Sequence, residues 1–184
     1  MRENWKVNGL IAVLSGAAWV ASFVAHNHFM PFLTHAPGID LVFIPSGVRL
    51  IAIMVGGIWA VAGICVGALL LTGPELHTLH PGVILAVSAC AGLCPYLALR
   101  ASMRIIGVEP GLGNLAPVHL PFISLGVALG SSVLHNVLFG VLGIESWRDF
   151  GDHVLAMATG DFLGILLAMV IVLMFLRVFR KPTA

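Results

Sequence analysis

The stretch LVFIPSGVRLIAIMVGGIWAVAGICVGALLLT, Leu41 to Thr72, decides how this chain folds. It holds 32 residues and a single charge, Arg49. As one helix it would be about 48 Å long at ~1.5 Å per residue. That is too long for an ordinary membrane span, which needs roughly 20 apolar residues. Gly56-Gly57 sits in the middle and offers a turn between two short helices. Charge bias chooses between the readings, because cytoplasmic ends of membrane segments carry Lys and Arg. The basic groups are Arg2 with Lys6, Arg100 with Arg104, and Arg177 with Arg180 and Lys181. Two crossings within 41–72 put all three groups on one side. A single crossing puts the first group opposite the other two. The split reading is preferred, and a re-entrant pair gives the same parity.

The rest of the chain is equally apolar. Of 184 residues, 59% are hydrophobic and only 9% charged. A soluble domain carries roughly 25% charged residues. No Asp, Glu, Lys or Arg occurs from Val7 to Ile39, and Asp40 is the next charge. The expected architecture is an all-α, polytopic membrane helix bundle forming a single domain over 1–184. Its six segments lie at about 7–29, 41–55, 58–72, 81–99, 119–143 and 154–176, with both termini cytoplasmic. The first segment reads as a retained span, since it is too long for a signal peptide and no cleavage site follows. Pro95 predicts a kink in its segment. Gly63-x3-Gly67, Gly126-x3-Gly130 and the run Ser15-Gly-Ala-Ala18 predict close helix packing.

Net charge of +1 gives no case for nucleic-acid binding. Cys65, Cys90 and Cys94 all lie in apolar runs, an odd number that argues against a disulfide framework and reads as small packing residues. No Gly-x-Ser-x-Gly, Cys-x2-Cys, phosphate loop or His-Glu-x2-His occurs. No nucleophile–base set can be assembled, so an enzyme is the least favoured class.

Charges inside a span are expensive, so they pair and often function. Arg49 and Asp161 each lie about eight residues in from the outer end of their segments, roughly 12 Å deep. His135 and Asn136 fall in the same layer, with Ser131 and Ser132 a turn deeper. Ser22 and Ser88 lie at similar depth. Arg49, Asp161, His135 and Asn136 are therefore the candidate ligand site, and an Arg–Asp pair that only fixes helix register is the plainer alternative. The histidines are lopsided: His26, His28, His35, His77, His80 and His153 fall toward the outer side, and only His119 lies near the inner face. His77-x2-His80 share a helical face near Glu75. Imidazole is a common metal ligand, which makes His77, His80, His26 and His28 a candidate metal set. No zinc-type spacing closes within one segment. Only His135 is deep enough for haem ligation across helices, which disfavours haem. The sequence names no cofactor.

Phe43-Ile-Pro-Ser-Gly-Val-Arg leads into one helix, and Gly160-Asp161-Phe-Leu-Gly164 opens the last. In this order they resemble the first type of membrane-associated sensor domain, an input module of bacterial signalling proteins. The resemblance covers roughly residues 41–176. Pro45, Gly47, Gly160, Asp161 and Gly164 match its pattern. It implies sensing of an unidentified signal without catalysis by this domain, and a bacterial inner membrane. Together with the polar layer it leads to a module that binds a small ligand and signals through a membrane partner or homo-oligomer. Members usually continue into a kinase or cyclic-dinucleotide domain, whereas this chain stops at Ala184, so signalling would pass through a partner. Two rivals remain open: a substrate-binding or metal-uptake component of a transporter, and an accessory subunit of a larger membrane complex.

Overall fold

The computed structural model describes residues 4–36, 39–71, 80–109 and 111–179. Among them, five helices are long and apolar enough to cross a membrane. They are α1 (Trp5–Phe29), α2 (Ile44–Leu70), α3 (Pro81–Ile106), α4 (His119–Val141) and α5 (Phe150–Phe179). A small antiparallel ribbon, Thr34–Ala36 with Ile39–Asp40, follows α1. Large apolar side chains such as Val55 and Ile105 are more than four-fifths exposed. A surface so apolar suits lipid rather than water, and helices satisfy their own backbone groups there. The chain is a multi-pass helical membrane protein.

Helix ends follow local chemistry. Pro45 and Pro81 sit in the first turns of α2 and α3, where a missing N–H costs nothing. His80 caps α3, its Nδ1 accepting from the Gly82 N–H at 3.1 Å. The third helix runs through Pro95 to Ile106, farther than the expected 81–99, and carries Arg100 and Arg104 in its final turns. Long basic side chains can lie along an apolar helix end and lift their heads to water. The last helix likewise starts earlier than expected, at Phe150.

α2 is broken where the glycine pair stands: Gly57 has φ 55° and ψ −136°. Contacts with α1 show where each half goes. The Phe43 and Phe23 rings lie 6.0 Å apart. Thirteen positions on, a Cβ at Gly56 would meet Ile11 at 2.6 Å. Residues 44–56 thus run antiparallel to α1. Beyond the break, Gly63 abuts Ala12 and Gly67 abuts Val20, so residues 58–70 run parallel to α1. Phe43 and Leu71 consequently border one cavity near the ribbon. Each arm is about 20 Å long at ~1.5 Å per residue.

A side chain with Cβ is strained in the Gly57 conformation. Gly57→Ala is expected to destabilise the bundle by ~1–3 kcal/mol. Gly9→Ala, at a position with open space around it, should stay within ~0.5 kcal/mol. Denaturant unfolding of the two variants in the same detergent makes the comparison. Equal stabilities would mean the break carries no strain.

Much of the core lies beyond the cavity, toward the end of the bundle away from the ribbon. Ile53, Leu99, Met103, Ile123, Val127 and Ile165 are each at most 4% exposed. Three backbone contacts lock α5 to the start of α2. The Phe43 N–H donates to Gly160 O at 2.9 Å. A Cβ on Gly160 would overlap the Asp40 carbonyl, and one on Gly164 the Phe43 carbonyl. Small residues allow this approach without a hydrophobic driving force between helices in lipid.

Candidate functional site

Three of the four residues expected in the polar layer meet at one cavity of about 210 Å³ near the ribbon. Arg49, Asp161 and His135 line it together with Trp19, Phe23 and Phe43. Its volume corresponds to that of ~7 waters at ~30 Å³ each. The walls come from all five helices and from both arms of α2.

Arg49 and Asp161 are 5% and 4% exposed. One guanidinium nitrogen of Arg49 donates to Asp161 Oδ2 at 3.2 Å. Another donates to the Ala91 carbonyl at 3.2 Å. The second bond has a cause in the sequence. Pro95 has no N–H, so it cannot supply the helical hydrogen bond to the carbonyl four residues earlier, which is Ala91. The proline frees the acceptor that Arg49 uses. Asp161 is held by its backbone as well: Ser46 Oγ lies 2.9 Å from the Asp161 carbonyl and 2.7 Å from that of Phe43. The two segments that carried the family resemblance are therefore one packed unit beside the cavity.

His135 is fixed by its own helix. Its Nδ1 lies 3.0 Å from the Ser131 carbonyl, which only accepts, so Nδ1 is the donor. Nε2 then keeps a lone pair. Asn136 does not line the cavity. It turns to its own helix and to α5, its amide donating to the Ser132 carbonyl at 2.9 Å and lying 3.7 Å from Met157 Sδ. Asn136 Oδ1, Ser132 Oγ and Trp19 Nε1 are buried without a hydrogen-bond partner among the described residues. Trp19 is also a lining residue of the cavity, and a buried donor left unpaired costs ~1–3 kcal/mol, so its indole N–H is a candidate donor to a bound acceptor.

Among the described residues, His26, His28 and His80 of the expected histidine metal set do not form a cluster. His77 lies outside the described residues. His26 pairs through Nε2 with Asp40 Oδ2 at 3.2 Å and packs edge-on against Phe43. His28 is exposed and packs edge-on against Phe29, its ring centroid 4.8 Å away. His80 is the α3 cap. Elsewhere, His153 pairs with Glu145 at 2.8 Å and His119 accepts from the Ala116 N–H. Among the described residues, the one trio able to hold a metal ion is Cys90, Cys94 and His135, whose ligand atoms lie within 4.8 Å of one another.

Trp19 and the Ala91 carbonyl were not legible as site groups from sequence, since neither is a charged residue within a span. The cysteine pair did carry a signal, the i, i+4 spacing that puts both thiols on one helix face. Compared with protein-family models, with curated proteins and with solved structures, the chain matches none.

Proposed function

We propose that the cavity binds a small ligand and that the chain is a sensor-like membrane module that passes occupancy to a membrane partner. The observation that carries this reading is that the buried Arg49–Asp161 pair forms part of a cavity wall instead of being sealed in packing. A pair serving only helix register has no need of an adjoining void, and pockets of this kind combine apolar walls with a few convergent polar groups. The contacts of Phe43 and Ser46 with Gly160 and Asp161 support a route for the signal, because a ligand touching Arg49 bears on the α2–α5 seam.

We further infer six membrane segments, with α2 as a pair of arms that enters from the ribbon end and turns at Gly57. Arms of ~20 Å fall short of the ~30 Å hydrocarbon core, which favours a re-entrant pair. Lys6, Arg100 and Arg104 then mark the opposite end as cytoplasmic, and the ribbon end as outer. A bacterial inner membrane follows from the family resemblance. The packed core beyond the cavity favours binding over conduction, so the transport reading stands second.

Cross-linking in native membranes tests the signalling reading. Ligand addition should change the yield of a cross-linked partner for the wild type and leave it unchanged for Arg49→Met/Asp161→Leu. A partner captured equally with and without ligand would favour an accessory subunit instead.

The indole predicts a smaller effect. Trp19→Phe keeps an aromatic ring beside Phe23, whose ring centroid lies 5.4 Å from that of Trp19, and removes the N–H. Loss of one hydrogen bond worth ~1–1.5 kcal/mol should weaken ligand binding by about 5–12-fold. Titration of the purified variant checks this, and an unchanged affinity would remove Trp19 from the site.

A further inference from the structure

We propose that Cys90, Cys94 and His135 form a site for a zinc-class divalent ion, with its open coordination position turned to the cavity. Cys90 and Cys94 stand one turn apart on α3, and their Sγ atoms are 2.8 Å apart. His135 reaches the pair from α4, and the three ligand atoms fall within 4.8 Å. All three side chains are at most 9% exposed. The bond from Nδ1 to the Ser131 carbonyl at 3.0 Å leaves Nε2 to donate its lone pair. Fixing one ring nitrogen on a backbone carbonyl is how metal-binding histidines are commonly oriented.

The donor set selects the ion. Two thiolates and a neutral imidazole are soft to borderline ligands that suit Zn²⁺ or Cu⁺. Binding Zn²⁺ displaces the two thiol protons and leaves the site neutral. Cu⁺ would leave one net negative charge in a low-dielectric interior, where an unpaired charge is costly. The neighbouring Arg49–Asp161 pair is itself neutral and does not offset it. At Zn–S distances of ~2.3 Å, tetrahedral geometry separates the two sulfurs by about 3.8 Å. Side-chain rotation must open the pair by about 1 Å to reach it. Three protein ligands leave a fourth position for water or a small ligand, and His135 lines the cavity that would supply it. Cys65 takes no part, since its thiol contacts the Ala89 carbonyl at 3.4 Å. The site stands independently of the small-ligand reading.

The test uses the full chain, purified in mild detergent, reduced and stripped of metal. Added Zn²⁺ alone should bind one per chain and protect Cys90 and Cys94 from alkylation while leaving Cys65 unaffected. Added Co²⁺ alone should give a thiolate-to-cobalt charge-transfer band. Cys90→Ser, Cys94→Ser and His135→Gln should each weaken or abolish that band, whereas Cys65→Ser and His77→Ala/His80→Ala should keep it. No band in the wild type, or equal alkylation with and without Zn²⁺, would overturn the site even if the variants fail to fold. Zinc binding lost only in the His77→Ala/His80→Ala variant would overturn it too. Thiol-dependent uptake of Cu⁺ without Zn²⁺ or Co²⁺ would overturn the assignment of a divalent ion.

Discussion

Asp161→Ala is expected to destabilise the bundle by about 3–5 kcal/mol, the usual consequence of leaving one partner of a buried ion pair unpaired. Arg49 is 5% exposed, so its charge meets little water once Asp161 is gone. Arg49→Met/Asp161→Leu should recover most of the loss. Both charges and both desolvation penalties then leave together, and pairs replaced by apolar residues of similar size are often no less stable. Recovery should stop short by ~1–2 kcal/mol, because the Ala91 carbonyl loses its donor and Pro95 supplies none. Adding Pro95→Ala restores a helical N–H to that carbonyl and should close much of the gap. Unfolding of the four proteins in one detergent measures each step. A single-variant loss below ~1 kcal/mol would mean that the pair is hydrated in the membrane-like environment.

The second large effect is at the α2–α5 seam. A Cβ on Gly164 would overlap the Phe43 carbonyl and come within 2.9 Å of Ser46 Oγ. The obstacle is backbone, which cannot rotate aside. Gly164→Val should therefore cost about 3 kcal/mol or more, at the upper end of overpacking effects. Gly151→Val is the control, since no atom of the described residues lies within 4 Å of a Cβ there. Because Asp161 and Ser46 belong to the same seam, Gly164→Val should also lower ligand affinity, and Gly151→Val should not. Thermal unfolding and ligand titration of both variants check the two effects. Similar stabilities for the pair would mean that α5 can shift away from α2 at little cost.

Much of this arrangement was legible in the sequence through cost. A charge in an apolar run must find a partner, and matched depths led from Arg49 to Asp161. The glycine pair marked the break in α2 because a 32-residue apolar run is too long for one ordinary span. What could not be read is which way each side chain turns. His135 and Asn136 are neighbours in sequence, yet consecutive helical residues point ~100° apart. One lines the cavity and the other packs against Met157. His26 and His28 are separated by ~200° around α1, so one meets Asp40 and the other stays exposed. Pro95 was legible as a helix irregularity, while its consequence for the Ala91 carbonyl needed the position of Arg49 on another helix. Cys90 and Cys94 read as packing residues until α4 brought His135 beside them.

Native mass spectrometry of the gently purified wild type and of Arg49→Met/Asp161→Leu tests the ligand site most directly. The wild type should retain a small molecule which the folded double variant has lost. Equal retention by both proteins, or no bound molecule in a wild type reconstituted with its native membrane extract, would contradict it and leave the Arg49–Asp161 pair as a structural fastening.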